Sequence, residues 1–198
     1  MYESEYNIPS YEDRLKLHFE EKKNIAQKAL LFIHKNKNYF FDVSTNIQLL
    51  AKLLNEKVNV FTHSLDNIKI LSEKKDVFIY SMGGCFNKKN RFFYKPGCTN
   101  YFEELEFDAA FIGAAAIMKD GIYYADEEDA FIKQEAVKKS KKVILLAEHQ
   151  KYQNSSCYKG LDWNQVDIII LDQISSTSFV DIIKSQNIQI DPNTLLIM

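Results

Sequence analysis

The sequence has few cysteines, no long apolar stretch and no surplus of positive charge. Its three cysteines, Cys85, Cys98 and Cys157, lie far apart in 198 residues. That spacing excludes a dense disulfide framework and is typical of reduced thiols in a cytosol, and it predicts no metal site. No apolar run reaches the roughly 20 residues that a membrane-spanning helix requires. Residues 1–21 lack the basic start and apolar centre of a secretion signal, so we expect a cytoplasmic protein.

The charge balance also restricts the function. Lys and Arg total 25 against 27 Asp and Glu, which gives a net charge of −2. A domain that binds DNA by itself usually carries a basic surplus, so we do not expect this chain to hold DNA unaided. With 46% hydrophobic and 26% charged residues the composition is that of a globular protein. The length suits one well-buried core, and we expect a single domain over residues 1–198.

Apolar segments alternate with amphipathic ones along the chain. Predicted strands cover residues 39–43, 58–62, 77–81, 108–115, 143–147, 166–171 and 189–190, and predicted helices cover 11–34, 47–54, 65–71, 126–140 and 178–185. Residues 85–101 are aromatic but have no steady period, which predicts an excursion from the main sheet, and residues 191–198 are either a tail or an edge strand. Continuously apolar strands between helices indicate an α/β fold with a three-layer, mostly parallel, Rossmann-like sheet.

Ligands of such sheets bind beyond the carboxyl ends of the strands. The polar and small residues expected there, which we take as the candidate ligand-binding set, are Asp42, Ser44, Thr45, Asn46, Thr62, His63, Ser64, Gly83, Gly84, Gly113, Ala114, Glu148 and Lys151. Free N–H groups and hydroxyls at the helix start after Asp42 would suit a phosphate group, although Ser44, Thr45 and Asn46 could simply cap the helix. We expect Lys151 to pair with the phosphate, with a solvated surface position as the alternative. Lys133 could equally lie on a surface face.

The order of these short motifs resembles the effector-binding domain of DeoR-family transcriptional repressors over residues 10–190. The matching residues are Arg14, Glu21-Lys22, Asp42-Val-Ser-Thr-Asn46, Thr62-His-Ser64, Gly83-Gly84, Gly97, Asp108-Ala-Ala-Phe-Ile-Gly-Ala114, Gly121, Asp126-Glu-Glu-Asp129 with Lys133, and Leu146-Ala-Glu-His-Gln-Lys-Tyr152. The resemblance implies a fold similar to that of ribose-5-phosphate isomerases and CoA transferases. It also implies that the domain senses a phosphorylated sugar and needs no cofactor. It further implies association into homo-oligomers. The aromatic cluster at residues 91–94 could form part of the contact between subunits, or it could cover an end of the sheet. Operator DNA would be contacted only through a helix-turn-helix that we expect this chain to lack.

Several residues differ from the family pattern in ways that affect catalysis and the choice of effector. The isomerase relatives carry an acidic Asp-Gly-Ala-Asp-Glu turn, whereas the matching stretch here is Ile112-Gly-Ala-Ala-Ala116. Because enediol chemistry needs a base, we expect binding without turnover, and no catalytic residue is assigned. Four residues differ from those that the family usually has at these positions. Ser44 stands in place of a Gly, Asn46 in place of a hydroxyl residue, His63 in place of an Asn, and Glu148 in place of an Asp. The effector can therefore differ from the family's usual one.

Two other functions stay open at this point. One is an isomerase or hydrolase of a small phosphorylated sugar in which His63, His149 and Glu148 perform the acid–base work. The other is a structural oligomerisation module whose pocket is unused.

Overall fold

The structure is a computed structural model that describes residues 10–152, 154–172, 181 and 193–197. The helices are α1 (Tyr11–Lys16), α2 (Phe19–Ala29), α3 (Thr45–Leu53), α4 (Leu65–Leu71) and α5 (Glu127–Lys138). The strands are β1 (Asn38–Phe41), β2 (Val58–Thr62), β3 (Val77–Ser81), β4 (Cys85–Asn87), β5 (Phe92–Tyr94), β6 (Ala109–Ile112), β7 (Ala116–Met118), β8 (Gly121–Tyr124), β9 (Val143–Ala147), β10 (Tyr158–Leu161), β11 (Ile168–Leu171) and β12 (Leu195–Ile197). The predicted helix at 178–185 and the predicted strand at 189–190 lie outside the described residues. None of the helices in the described part of the chain has the length and apolar character needed to cross a bilayer.

Seven strands form the main sheet in the order β12-β11-β9-β6-β1-β2-β3, and every pair in it is parallel. This confirms the predicted α/β class with a parallel sheet. The last strand, β12, pairs with β11 at one edge, so the end of the described chain is an edge strand and not a free tail. Because all seven strands run the same way, their carboxyl ends share one edge of the sheet, where the loops that follow them meet.

Both faces of the sheet are covered at its central strands, which explains why these strands are mainly apolar. In β1, Phe40 packs into one buried cluster while its neighbours Tyr39 and Phe41 pack into the other. The first cluster includes α5, and the second includes α2 and α3. Alternate side chains of a strand point to opposite faces, so α5 and the α2–α3 pair lie on opposite sides of the sheet. The result is a three-layer arrangement.

The N-terminal helix is divided where the sequence predicted one continuous helix over residues 11–34. Leu17 is extended and His18 has a left-handed backbone with φ of 54°, so α1 ends and α2 begins in a new direction. The change lets Tyr11 pack against Val43 and Phe92. No Gly or Pro marks the break in the sequence, because tertiary packing and not local propensity determines it.

Two small antiparallel units accompany the main sheet. Strands β4 and β5 form a hairpin within the segment predicted as an excursion, and its Phe92 is buried while Arg91 forms a two-point ion pair with Asp66. The aromatic cluster of residues 91–94 thus covers an end of the sheet. The second unit, with the order β10-β8-β7, was not predicted. The predicted strand at 108–115 is shorter than expected, because the chain leaves the sheet after Ile112 to enter this unit.

Candidate functional site

A cavity of about 390 Å³ lies at the carboxyl edge of the main sheet. Its lining comes from the α1–α2 segment, the start of α3, the loop after β6, the hairpin, the start of α5 and the loop after β9. The lining residues are Arg14, Leu17, Lys22, Val43, Ser44, Thr45, Asn46, Asn90, Ala114, Ala115, Tyr124, Ala125, Asp126, Asp129, Lys133, Glu148, Gln150, Lys151, Asn154 and Ser155. Its volume falls within the range of about 300–1,000 Å³ that is typical of small-molecule sites.

The first turn of α3 forms one wall of this cavity. Ser44 is the N-cap of α3, and its hydroxyl accepts a hydrogen bond from the Ile47 amide at 3.3 Å. Thr45 and Asn46, the first two helical residues, line the cavity. The first N–H groups of a helix have no partner within the helix, and they carry a partial positive charge. This wall therefore has the chemistry that suits an anion.

A buried acid sits between two lysines on the same side. Glu148 accepts a hydrogen bond from the Asn46 amide at 2.7 Å and lies 3.4 Å from the Lys22 ammonium and 3.9 Å from that of Lys151. Burial alone would raise the pKa of Glu148, but Lys151 and Lys22 outweigh burial and lower it. Glu148 is therefore an anion at neutral pH that lies between two lysine side chains.

A second charged network lies under the centre of the cavity. The Asp42 carboxylate accepts hydrogen bonds from the Ser44 and Gly113 amides at 2.7 and 2.8 Å and lies 3.0 Å from the Lys133 ammonium. Lys133 is also 2.9 Å from Asp129, whose second oxygen lies 2.8 Å from Nε2 of His63. The network therefore joins the loop after β1, the end of β2 and α5.

Burial within this network is opposed by ion pairing. Burial favours the neutral forms of Asp129 and Lys133, yet each holds the other charged: the pKa of Asp129 is lowered and that of Lys133 is raised. Lys133 is only 2% exposed, and its ammonium lies 3.7 Å from the centre of the Tyr124 ring. The surface position that the sequence left open for Lys133 is therefore wrong.

At the mouth of the cavity a third group joins three elements. Asn87 and Asn90 of the hairpin donate to the two carboxylate oxygens of Asp126 at 3.0 and 2.6 Å. Arg14 of α1 donates to the side-chain Oδ1 of Asn90 at 3.0 Å. Burial and the neighbouring Asp129 raise the pKa of Asp126 despite these hydrogen bonds.

The candidate residues from the sequence fall into three groups. Those that line the cavity are Ser44, Thr45, Asn46, Ala114, Glu148 and Lys151. Asp42, Thr62, His63 and Ser64 are fully buried beside it, and Gly113 packs against Ser44. Gly83 is half-buried and Gly84 is exposed just before the hairpin, with positive φ values of 58° and 106°, and neither is among the lining residues.

The buried candidates have structural partners. The Thr62 hydroxyl donates to the Phe41 carbonyl at 2.6 Å and accepts from the Ser64 amide at 3.1 Å. The Ser64 hydroxyl caps α4 by accepting from the Asn67 amide at 3.2 Å. Ser64 thus caps a helix, as Ser44 does, and for Ser44 the sequence allowed that role.

Several lining residues were not in the candidate set: Arg14, Lys22, Asn90, Asp126, Asp129 and Lys133. All except Asn90 belong to motifs that carry the family resemblance, so that series was the available signal for them. Asn90 lies in the excursion without regular periodicity, and no pattern in the sequence indicated it.

The two histidines of the isomerase or hydrolase alternative are not lining residues of the cavity. His63 is fully buried against Asp129 and stacks on Phe40, with ring centres 5.6 Å apart. His149 lies 3.6 Å from Asp172 and packs edge-on against His18. Glu148 alone of that set reaches the cavity, and the loop at residues 113–116 contributes no carboxylate.

Known transcriptional repressors are similar to this chain in sequence. The chain is 34% identical over 184 residues to the HTH-type transcriptional repressor GlcR of Bacillus subtilis (strain 168). This alignment covers 92% of this chain and 71% of that protein. It is 24% identical over 168 residues to the putative aga operon transcriptional repressor of Escherichia coli O157:H7, covering 83% of this chain and 62% of that protein.

Solved structures share the fold at low sequence identity. A transcriptional regulator from Streptococcus pneumoniae TIGR4 superposes with a TM-score of 0.50 at 13% identity, over 81% of this chain and 85% of that one. A D-ribose-5-phosphate isomerase in complex with phospho-erythronic acid superposes with a TM-score of 0.50 at 17% identity. That superposition covers 68% of this chain and 54% of the isomerase chain. These similarities concern the fold alone, and they confirm the predicted likeness to ribose-5-phosphate isomerases.

The family assignment rests on the sequence over most of the chain. Residues 17–173 match the family described as the DeoR C terminal sensor domain. This stretch includes the α2 wall of the cavity, the α3 N-terminus, the hairpin, α5 and the loop that carries Glu148 and Lys151. The chain belongs to the DeoR C-terminal sensor domain family.

Proposed function

We propose that the cavity binds a phosphorylated sugar as an effector and does not convert it. The observation that carries this proposal is the wall formed by the first turn of α3, whose Thr45 and Asn46 line the same cavity as Lys151. Helix N–H groups, a hydroxyl and an ammonium together provide the donors that bind a phosphate. The remaining lining, with Asp126, Asn90 and Gln150, offers partners for hydroxyl groups.

The proposed biological role follows from the relatives that are named as transcriptional repressors. In a regulator of that kind, effector binding would change the affinity for operator DNA by stabilising one of two states of the whole protein. Association of the sensor domains into a homo-oligomer belongs to the same proposal, and sizing chromatography with light scattering tests it.

The electrostatics favour binding over catalysis. General acid–base catalysis works best with groups whose pKa lies near the working pH. Asp129 and Lys133 instead hold each other in their charged forms, and Lys151 and Lys22 do the same for Glu148. These three groups can orient a ligand, but they are poorly suited to shuttle a proton between carbons.

Thermal-shift measurement with a panel of pentose and hexose phosphates tests the proposal. A ligand at one hundred times its dissociation constant adds about 2.7 kcal/mol to the free energy of unfolding, which corresponds to a rise in Tm of roughly 5–10 °C for a chain of this size. Thr45→Ala and Lys151→Ala should reduce the rise, while the exposed controls Thr99→Ala and Lys142→Ala should keep it. If no sugar phosphate raises the Tm, or if all four variants respond like the wild type, the proposed function is wrong.

A further inference from the structure

The carboxylate of Asp126 is held at the cavity mouth by the hairpin. Asn87 Nδ2 donates to one oxygen at 3.0 Å and Asn90 Nδ2 donates to the other at 2.6 Å. Asn90 is 7% exposed, and its side chain is fixed in turn because its Oδ1 accepts from Arg14. The asparagine amides therefore set the orientation of the carboxylate before any ligand arrives.

Helix capping does not explain this arrangement. Asp126 is the N-cap residue of α5, and an aspartate there normally accepts a hydrogen bond from an N–H of the first turn. The Asp126 side chain makes no such bond. Its carboxylate instead turns toward the hairpin and lines the cavity.

The carboxylate retains capacity for additional donors. Its two oxygens offer about four lone-pair positions in total, and the two asparagine amides occupy one on each oxygen. An ionised carboxylate accepts hydrogen bonds only, so its partner in the cavity must be a donor such as a hydroxyl group. A phosphate dianion has no proton to donate and would be repelled there.

The sheet topology separates Asp126 from Lys151. Lys151 follows β9, whereas the hairpin that holds Asp126 is joined to the end of β2 by the bridge between Ser64 and Phe92. Strands β6 and β1 lie between β9 and β2, so three strand spacings, about 14 Å, separate the two strand ends. A sugar phosphate with its phosphate near Lys151 would therefore direct its hydroxyl groups toward Asp126.

We propose that Asp126, positioned by Asn87 and Asn90, accepts hydrogen bonds from the hydroxyl groups of the ligand and thereby selects polyhydroxylated phosphates over phosphates without hydroxyl groups. This proposal rests on the proposed function, because it assigns the second end of the same ligand. Asp126 contacts the ligand, and the two asparagines act as positioning residues.

Calorimetric titration of the whole chain tests the assignment. The probes are the sugar phosphate that gives the largest thermal shift, inorganic phosphate, and an alkyl phosphate of equal carbon number. We expect Asp126→Asn to weaken binding of the sugar phosphate by about tenfold or more, since hydrogen bonds to a charged group are lost, and not to weaken binding of the other two probes. Glu128→Gln removes an exposed carboxylate from the same helical turn and should leave all three affinities unchanged.

The positioning residues supply an independent measurement. Asn87→Ala and Asn90→Ala should lower the preference for the sugar phosphate over the alkyl phosphate, whereas a purely structural role would lower both affinities together. Should Asp126→Asn not fold, as judged from its melting curve, Asn87→Ala becomes the deciding variant. An unchanged preference in every folded variant would overturn the assignment of Asp126 alone. Failure of the wild-type chain to bind any of the sugar phosphates would overturn the proposed function.

Discussion

Gly113 lies directly against Ser44, so that a Cβ added to Gly113 would come within 2.4 Å of both Cβ and Oγ of Ser44. Ser44 caps α3, and Gly113 donates its amide to Asp42 at 2.8 Å. The loop after β6 and the loop after β1 therefore approach each other as closely as a glycine allows. The position of the α3 N-terminus, which forms the proposed phosphate wall, depends on this contact.

Gly113→Ala should consequently destabilise the protein by about 1–3 kcal/mol, because a methyl group is forced into a packed position. It should also weaken the thermal response to sugar phosphates by displacing Ser44. Chemical denaturation measures the first effect and thermal shift the second.

A double-mutant cycle separates this steric effect from others. Ser44→Gly removes the atoms that the new methyl group meets, and replacing an N-cap serine by glycine should cost only a few tenths of a kcal/mol. The double variant should be more stable than the sum of the two single effects predicts. Strict additivity would show that the contact between Gly113 and Ser44 does not determine the cost.

The ion pairs of Lys133 give a second prediction. Lys133→Met should lower the free energy of unfolding by about 3–5 kcal/mol, because it leaves the buried carboxylates of Asp42 and Asp129 without their shared cation. Lys138→Met, on the same helix, breaks a solvent-exposed ion pair with Glu135 and should change the free energy of unfolding by less than about 1 kcal/mol. Urea denaturation of the two variants compares them directly, and equal losses would contradict the buried network.

The buried ion pairs of Lys133 and of Glu148 make stability depend on pH in a defined direction. The pKa of Asp129 and that of Glu148 are lowered in the folded protein, so their contribution is complete above the unfolded-state values near 4. It is lost as the pH falls through the lower folded-state values. The pKa of Lys133 is raised, so its contribution is complete below the unfolded value near 10.5 and is lost as the pH rises through the folded value. Unfolding free energies measured from pH 2 to 11 should decline at both ends, and in Lys133→Met the alkaline decline should be smaller.

Glu148→Gln should affect stability and anion binding in opposite directions. The variant leaves the buried ammonium of Lys22 without its carboxylate, so the protein should be less stable. It also removes a negative charge beside Lys151, so inorganic phosphate should bind several-fold more tightly at low salt. Glu73→Gln, at an exposed site beyond the cavity lining, serves as the control in both measurements. Weaker phosphate binding in Glu148→Gln would contradict the position of the phosphate wall near Lys151.

Much of the main sheet could be predicted because its signals are local. The bounds of β2, α4, β3 and β9 agree with the prediction to the residue, since the three strands are mainly apolar runs and α4 begins after the capping residue Ser64. Strands β7, β8 and β10 were missed because they are short and because β10 pairs with β8 from more than thirty residues away. Such long-range pairing leaves no period in the sequence.

The candidate site was only partly predictable for a related reason. The rule that ligands bind beyond parallel strand ends placed Thr45, Asn46, Glu148 and Lys151 at one cavity, and the structure brings them together. The same rule cannot distinguish a lining side chain from one that turns inward to support the loop, as Thr62 and His63 do. It also cannot predict Asn90, which reaches the cavity only because the hairpin folds back over the sheet edge.

The central claim, that the cavity binds a phosphorylated sugar and leaves it unchanged, is tested most directly by one combined measurement. Calorimetric titration of the wild-type chain with the most stabilising sugar phosphate should show saturable binding. Phosphorus NMR of the same sample after prolonged incubation should show the ligand intact. Absence of binding throughout the sugar phosphate panel, or conversion of the bound compound, would contradict the account.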